Sequence, residues 1–188
     1  MKRLARWISI AAHPFVVVLL LVGAVEAQRG PAAAARGVTT VALLFVLPVA
    51  VLIVRQTRRG AWSTVDASDP RERPLLYLVG AAGLVALFGY LLLTQPATPL
   101  LRGAIGTLGM LAVCAAATPW VKISLHVAVA ALASAILLGL GITVGWLLAA
   151  VVPVLAWARV AMGRHRWIEV VLGLVVGAAA GVLIARGP

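Results

Sequence analysis

Acidic residues are the scarcest functional groups in this chain. Only five of its 188 residues are Asp or Glu, against sixteen Lys and Arg. The five are Glu26, Asp66, Asp69, Glu72 and Glu169. Asp66 and Asp69 are the one aspartate pair and have no acidic partners elsewhere, which argues against a two-carboxylate magnesium site and the lipid synthases built on one. Charge of either sign is sparse: 11% of residues are charged and 63% hydrophobic, with a mean hydropathy of +1.10. A soluble domain carries about 25% charged residues, so a soluble fold is excluded. With no soluble domain to present a basic face, the net charge of +11 does not point to nucleic acid. Cys114 is the single cysteine, so there is no internal disulfide. Charges are nearly absent from the middles of the apolar runs, where a translocation path would want them.

What is present is a succession of apolar runs. A spanning helix needs about 20 apolar residues, and seven segments qualify or come close: 8–27, 38–54, 75–94, 99–117, 124–140, 142–158 and 168–185. The expected fold is all-α, a polytopic transmembrane bundle of six to seven spanning helices forming one domain over residues 1–188. The fifth and sixth runs are short and parted only by "GLGI", a tight hairpin. The basic head and apolar core of residues 1–28 mimic a signal peptide, but the stretch is read as a retained first helix. His13-Pro14 should kink it, with His13 a packed, hydrogen-bonded residue. Glu26 is expected at the interface. The six tryptophans mostly fall at predicted helix ends, as interfacial anchors do.

Three polar loops interrupt the runs: "RQTRRGAWSTVDASDPRERP" (55–74), "TPWVKIS" (118–124) and "ARVAMGRHRWIE" (158–169). Two helices separate each loop from the next. Two crossings return the chain to the same face, so all three loops lie on one side and can converge. Of the sixteen basic residues, only Arg29, Arg36, Arg102 and Arg186 fall on the other side. The positive-inside rule then places the loops in the cytoplasm, and the expected setting is the plasma membrane of a prokaryote.

The loops hold the residues with chemistry. His165 and Glu169 are four apart at a helix start and share a face. Glu169 can therefore fix the tautomer of His165 and leave its other nitrogen available as base or nucleophile. Arg159 and Arg164 offer forked donors suited to phosphate. The competing reading makes these arginines anchors at a helix end. "VKISLH" sets Lys122, Ser124 and His126 at alternating positions where an apolar helix begins, and a histidine placed there suits a general acid. In "DASDPRERP", Asp69 and Glu72 read as ordinary solvated loop, whereas Arg71 and Arg73 stand at the mouth of the same face.

Together these motifs resemble the type 2 phosphatidic acid phosphatase superfamily. Arg159, five residues, His165, three residues and Glu169 resemble its third signature, S-R-x5-H-x3-D. Ser124-Leu125-His126 resembles the end of its second, P-S-G-H, and Arg73-Pro74 the end of its first, K-x6-R-P. The resemblance covers residues 66–177. Asp66 stands where the family has lysine, Ala158 for the motif serine, Ile123 for proline, Leu125 for glycine and Glu169 for aspartate. The resemblance implies a phosphorylated lipid substrate drawn from the surrounding membrane lipids, and neither metal nor organic cofactor. It makes His165 the nucleophile, Glu169 its orienting partner and His126 the proton donor, with Arg159, Arg73 and Ser124 holding phosphate. Lys122 is a candidate substitute for the missing lysine. A non-catalytic relative that binds anionic lipid or scaffolds membrane partners is the alternative. Gly173, Gly177 and Gly181 give the last helix a small-residue face for close packing, within the chain or, as the second reading, as a homodimer seam.

Overall fold

The computed structural model describes residues 1–64, 66–67, 69–96 and 98–187. Nine α-helices are seen among them: α1 (Lys2–Ala11), α2 (Pro14–Ala27), α3 (Pro31–Val41), α4 (Leu47–Arg58), α5 (Arg73–Thr94), α6 (Pro99–Ala117), α7 (Leu125–Gly139), α8 (Val144–Ala161) and α9 (Trp167–Arg186). A π-helical turn at Ala42–Val46 joins α3 to α4 in one apolar rod. Six helical stretches are long and apolar enough to cross a membrane, and α7 is a shorter seventh. The protein is thus a polytopic helical membrane protein.

The local causes are legible. Proline opens α2, α3, α5 and α6 within their first two positions, where its fixed φ and missing N–H suit a first turn. The Thr98 hydroxyl accepts from the Leu100 amide at the start of α6. Gly141 (φ +71°) makes the hairpin between α7 and α8, a conformation that costs glycine nothing.

The first predicted span divides. His13-Pro14 separates α1 from α2, a full break where a kink was expected, because Pro14 cannot extend the hydrogen-bond ladder back into α1. Helix α1 is amphipathic: Ala5 and Ser9 are buried while Leu4, Trp7 and Ile10 are exposed. That pattern suits a helix lying in the interface, and α1 packs along α8.

Helix α7 forms the centre, against α2, α8 and α9. Nearly its whole length is buried, from His126 to Leu137, as expected of a helix apolar on every side. Its 15 residues rise only about 22 Å, less than the ~30 Å of a hydrocarbon core. A short, protein-surrounded helix of this kind recesses its first turn, with Ser124 and His126, below the bundle surface.

The glycine face of α9 is occupied by α7. A Cβ on Gly173 would meet the Ser124 carbonyl oxygen at 2.8 Å, one on Gly177 the Ala128 oxygen at 2.0 Å, and one on Gly181 the Leu132 oxygen at 2.5 Å. Packing within the chain accounts for all three glycines, so this face is not open to serve as a dimer seam. Gly177→Ala should therefore destabilise by about 1–3 kcal/mol through overpacking, read as earlier thermal loss of the monodisperse peak in detergent. Gly109→Ala, whose added Cβ meets nothing within 4 Å, should leave that temperature unchanged or raise it.

Candidate functional site

The three polar loops meet at the start of α7, joined by α1 and the α1–α2 break. Ser124 precedes α7 in extended conformation, and its amide donates to the Glu169 carbonyl at 3.0 Å. That bond ties the second loop to the first turn of α9. Arg73, the first residue of α5, is 2% exposed. Its Nη1 donates to the Ile123 carbonyl (2.8 Å) and the Tyr77 hydroxyl (3.1 Å), which ties the first loop to the second.

Arg159 does not lie in a loop as expected. Helix α8 runs on to Ala161, since "ARVA" contains no residue that would stop it. Arg159 is 1% exposed. Its Nη1 donates to Asp66 Oδ2 (2.9 Å) and to Ser9 Oγ (2.8 Å). After α8, Gly163 (φ +69°) takes a left-handed turn that glycine adopts freely, and the chain returns with His165 facing inward. His165 Nδ1 lies 2.8 Å from Glu169 Oε2. An ionised carboxylate only accepts, so Nδ1 carries the proton and Nε2 keeps its lone pair. Arg166 is mostly exposed yet holds Glu169 as well: its Nε reaches Oε1 (3.2 Å) and its amide Oε2 (3.3 Å).

Lys122 is half-buried and donates to the Arg164 carbonyl at 2.9 Å. Burial pushes its ammonium below the ordinary lysine value; Glu169 pulls the other way, and Arg73, Arg159 and Arg164 add to the lowering. Burial likewise drives His165 below its ordinary value. The Arg159 charge adds to this, Glu169 opposes it, and Arg73 and Lys122 lower it further. The cluster as a whole holds three cations, Arg73, Arg159 and Lys122, and two carboxylates, Asp66 and Glu169, an excess suited to an anion.

Hydrogen-bond satisfaction is incomplete here. Among the described residues, five buried side-chain atoms have no hydrogen-bond partner: Thr57 Oγ1, Arg73 Nε, Ser124 Oγ, His126 Nε2 and Arg159 Nε. Four of the five belong to this cluster. Folded proteins satisfy nearly all such atoms, with protein groups or with ordered water, so their concentration singles out this cluster as the candidate site. His126 Nε2 lies 3.9 Å from Asp66 Oδ1, too far for a hydrogen bond.

The structure brings His165, Glu169, Arg159, Arg73, Lys122, Ser124 and His126 together. Arg71 is exposed. Several residues take places that the sequence did not suggest. Glu72, read as solvated, is buried and accepts from the Ser63 amide (2.7 Å) and the Asp69 amide (3.4 Å), pinning the loop. Trp62, expected as an anchor, is buried. Glu26, expected at the interface, is 1% exposed and satisfied by Arg29 (2.9 Å) and Thr98 (3.1 Å). Ser9, Tyr77 and Asp66 are site partners without a motif of their own. His13 accepts from the Phe15 amide at Nδ1 (3.3 Å), and its ring is edge-on to that of His126 with centroids 5.2 Å apart. The helix-breaking His13-Pro14 pair was the one sequence signal that the chain bends at that point.

The class defined by this fold is a multi-pass helical membrane protein, whose polar loops gather a cluster of buried arginine, histidine and carboxylate side chains. Comparison with family models, curated proteins and solved structures finds no match.

Because its folded-state value is lowered, His165 should stay neutral as pH falls through 6.5. Glu169→Gln removes the one contribution that raises it and should move the titration lower still. Imidazole NMR of labelled protein in micelles checks both; a His165 midpoint at or above 6.5 would contradict the burial argument.

Proposed function

We propose that the protein is a membrane-embedded phosphatase acting on a lipid phosphate or a prenyl (di)phosphate through a phosphohistidine intermediate. The observation that carries this reading is the grouping of Arg73 Nε, Ser124 Oγ, His126 Nε2 and Arg159 Nε, buried and unpartnered, beside a His165 whose Nδ1 is held by Glu169. A phosphoryl group offers acceptor oxygens for such donors and an electrophilic phosphorus for Nε2.

In the proposed reaction the His165 Nε2 lone pair attacks phosphorus in line with the leaving oxygen, forming the P–N bond as the P–O bond breaks. Glu169 stabilises the positive charge growing on the imidazole, as a fixed carboxylate does for a histidine base. Arg73, Arg159 and Ser124 face the equatorial oxygens, where charge collects in the transition state. His126 gives its proton to the departing alkoxide or phosphate. Water then attacks phosphorus, giving its proton to His126 as the P–N bond breaks and the electron pair returns to Nε2, which releases phosphate and restores both histidines. Asp66 engages Nη1 of Arg159, and the guanidinium, with five N–H donors, keeps others for phosphate. Lys122 adds a further cation beside His165.

An apolar cavity of about 110 Å³ extends from His13, Asp66 and His126, lined among others by Phe45, Leu76, Leu84, Met110 and Val129. It supports a substrate with a hydrocarbon chain whose headgroup ends at the polar cluster. Twelve of the sixteen Lys and Arg fall on the site face, which supports a cytoplasmic orientation of the site.

Purified protein offered a panel of lipid phosphates in the presence of chelator should release phosphate. His165→Asn should lower the rate by about a thousandfold or more. Lys122→Ala and Arg73→Ala should each lower it by about a hundredfold. Release that survives His165→Asn would contradict the nucleophile assignment, and retained lipid binding without release from any substrate would support the binding-only alternative.

A further inference from the structure

We propose that His13, Asp66 and His126 form a site for a divalent transition-metal ion, zinc by preference. The three residues come from separate parts of the chain: the α1–α2 break, the first polar loop and the first turn of α7. They converge so that one ligand atom from each lies within 4.8 Å of the others. Among the described residues this is the one group of three or more His, Cys, Asp or Glu side chains so placed.

A second observation points into the same space. The His126 side chain is 8% exposed, and its Nε2 has no hydrogen-bond partner. A buried imidazole nitrogen without a partner carries a desolvation cost that a metal bond removes. Asp66 is already turned toward it. Arg159 holds Oδ2 at 2.9 Å, leaving Oδ1 on the His126 side at 3.9 Å from Nε2. Fixing the outer oxygen of a carboxylate in this way is how proteins orient a metal ligand. Next to Asp66, Ala67 holds a left-handed conformation (φ 45°) while fully buried, a constrained backbone for a non-glycine residue.

Two imidazoles and one carboxylate favour zinc and its neighbours over magnesium or calcium, which select all-oxygen sites. Zinc bonds of about 2.0–2.2 Å require the three atoms to close in from their present spacing. Three protein ligands leave a fourth position for water or a phosphate oxygen. The Arg159 charge beyond Asp66 opposes the ion, so the site should exchange metal with chelators and not trap it. An ion there also occupies the nitrogen assigned as proton donor, which would make turnover zinc-sensitive. Binding itself does not depend on the phosphatase reading.

The test is direct metal binding to the full-length protein in detergent after chelator treatment. Zn2+ should bind at one ion per chain, and Co2+ in its place should give the visible absorption of a four-coordinate nitrogen–oxygen site, undisturbed by a large excess of Mg2+. His13→Ala and Asp66→Asn should each weaken binding by about tenfold or more. His165→Asn, which lies outside the three ligands, should bind as the parent does. Elution profile and helical circular dichroism establish that the variants are folded, and Asp66→Asn preserves side-chain volume. Failure of the parent protein to bind Zn2+ or Co2+ would overturn the proposal, as would binding undiminished in both folded ligand variants. Because uptake is measured without substrate, its failure is distinguishable from absence of phosphatase activity.

Discussion

The contact between the backbones of α7 and α9 sets the geometry of the whole site. Gly173, Gly177 and Gly181 lie against the carbonyls of Ser124, Ala128 and Leu132, at separations that leave no room for a side chain. The same contact puts the Glu169 carbonyl on the Ser124 amide, so His126 and the His165–Glu169 pair are held by one rigid junction. His165 and Ser124, which lie in the turns just before α9 and α7, are placed by their bonds to these rigid helices. Everything else at the site is brought to that junction: Arg73 through the Ile123 carbonyl, Lys122 through the Arg164 carbonyl, and Arg159 from the last turn of α8.

The arrangement also has an electrostatic cost. Arg73 and Arg159 are 2% and 1% exposed. Guanidinium groups taken out of water are costly unless hydrogen-bonded and paired. Arg159 has Asp66 and Ser9; Arg73 has a carbonyl and a phenol. Each still keeps a buried Nε without a partner. The shortfall at this spot contrasts with Glu26 and Glu72, whose carboxylates each accept two hydrogen bonds, and it is what the proposed phosphate site rests on. An anion bound there would supply the missing acceptors.

Much of this was legible in the residue order. Apolar runs of spanning length gave the helices, because burying backbone in hydrocarbon leaves the chain few other choices. The two-helix interval between polar loops gave their shared face, and the four-residue interval gave the His165–Glu169 contact, although His165 lies in the turn before α9 and not on its face. What was hidden depends on tertiary partners. Nothing in "ISIAAHP" announces that Ser9 meets Arg159, 150 residues away. Asp66 reads as a lost lysine, and only the structure shows it as the partner of Arg159 and the neighbour of His126. Glu26, Glu72 and Trp62 were expected in contact with solvent or interface because charged and amphipathic residues usually are. The two carboxylates are buried because nearby amides, Arg29 and Thr98 satisfy them.

The central claim is that His165 is positioned to accept a phosphoryl group. It is tested most directly by quenching the protein in mid-turnover with a 32P-labelled lipid phosphate and mapping the label by mass spectrometry under alkaline conditions, where phosphohistidine survives. The account predicts an acid-labile phosphate on the peptide carrying His165, absent from His165→Asn. Turnover with no label, or label on any other residue, would contradict it.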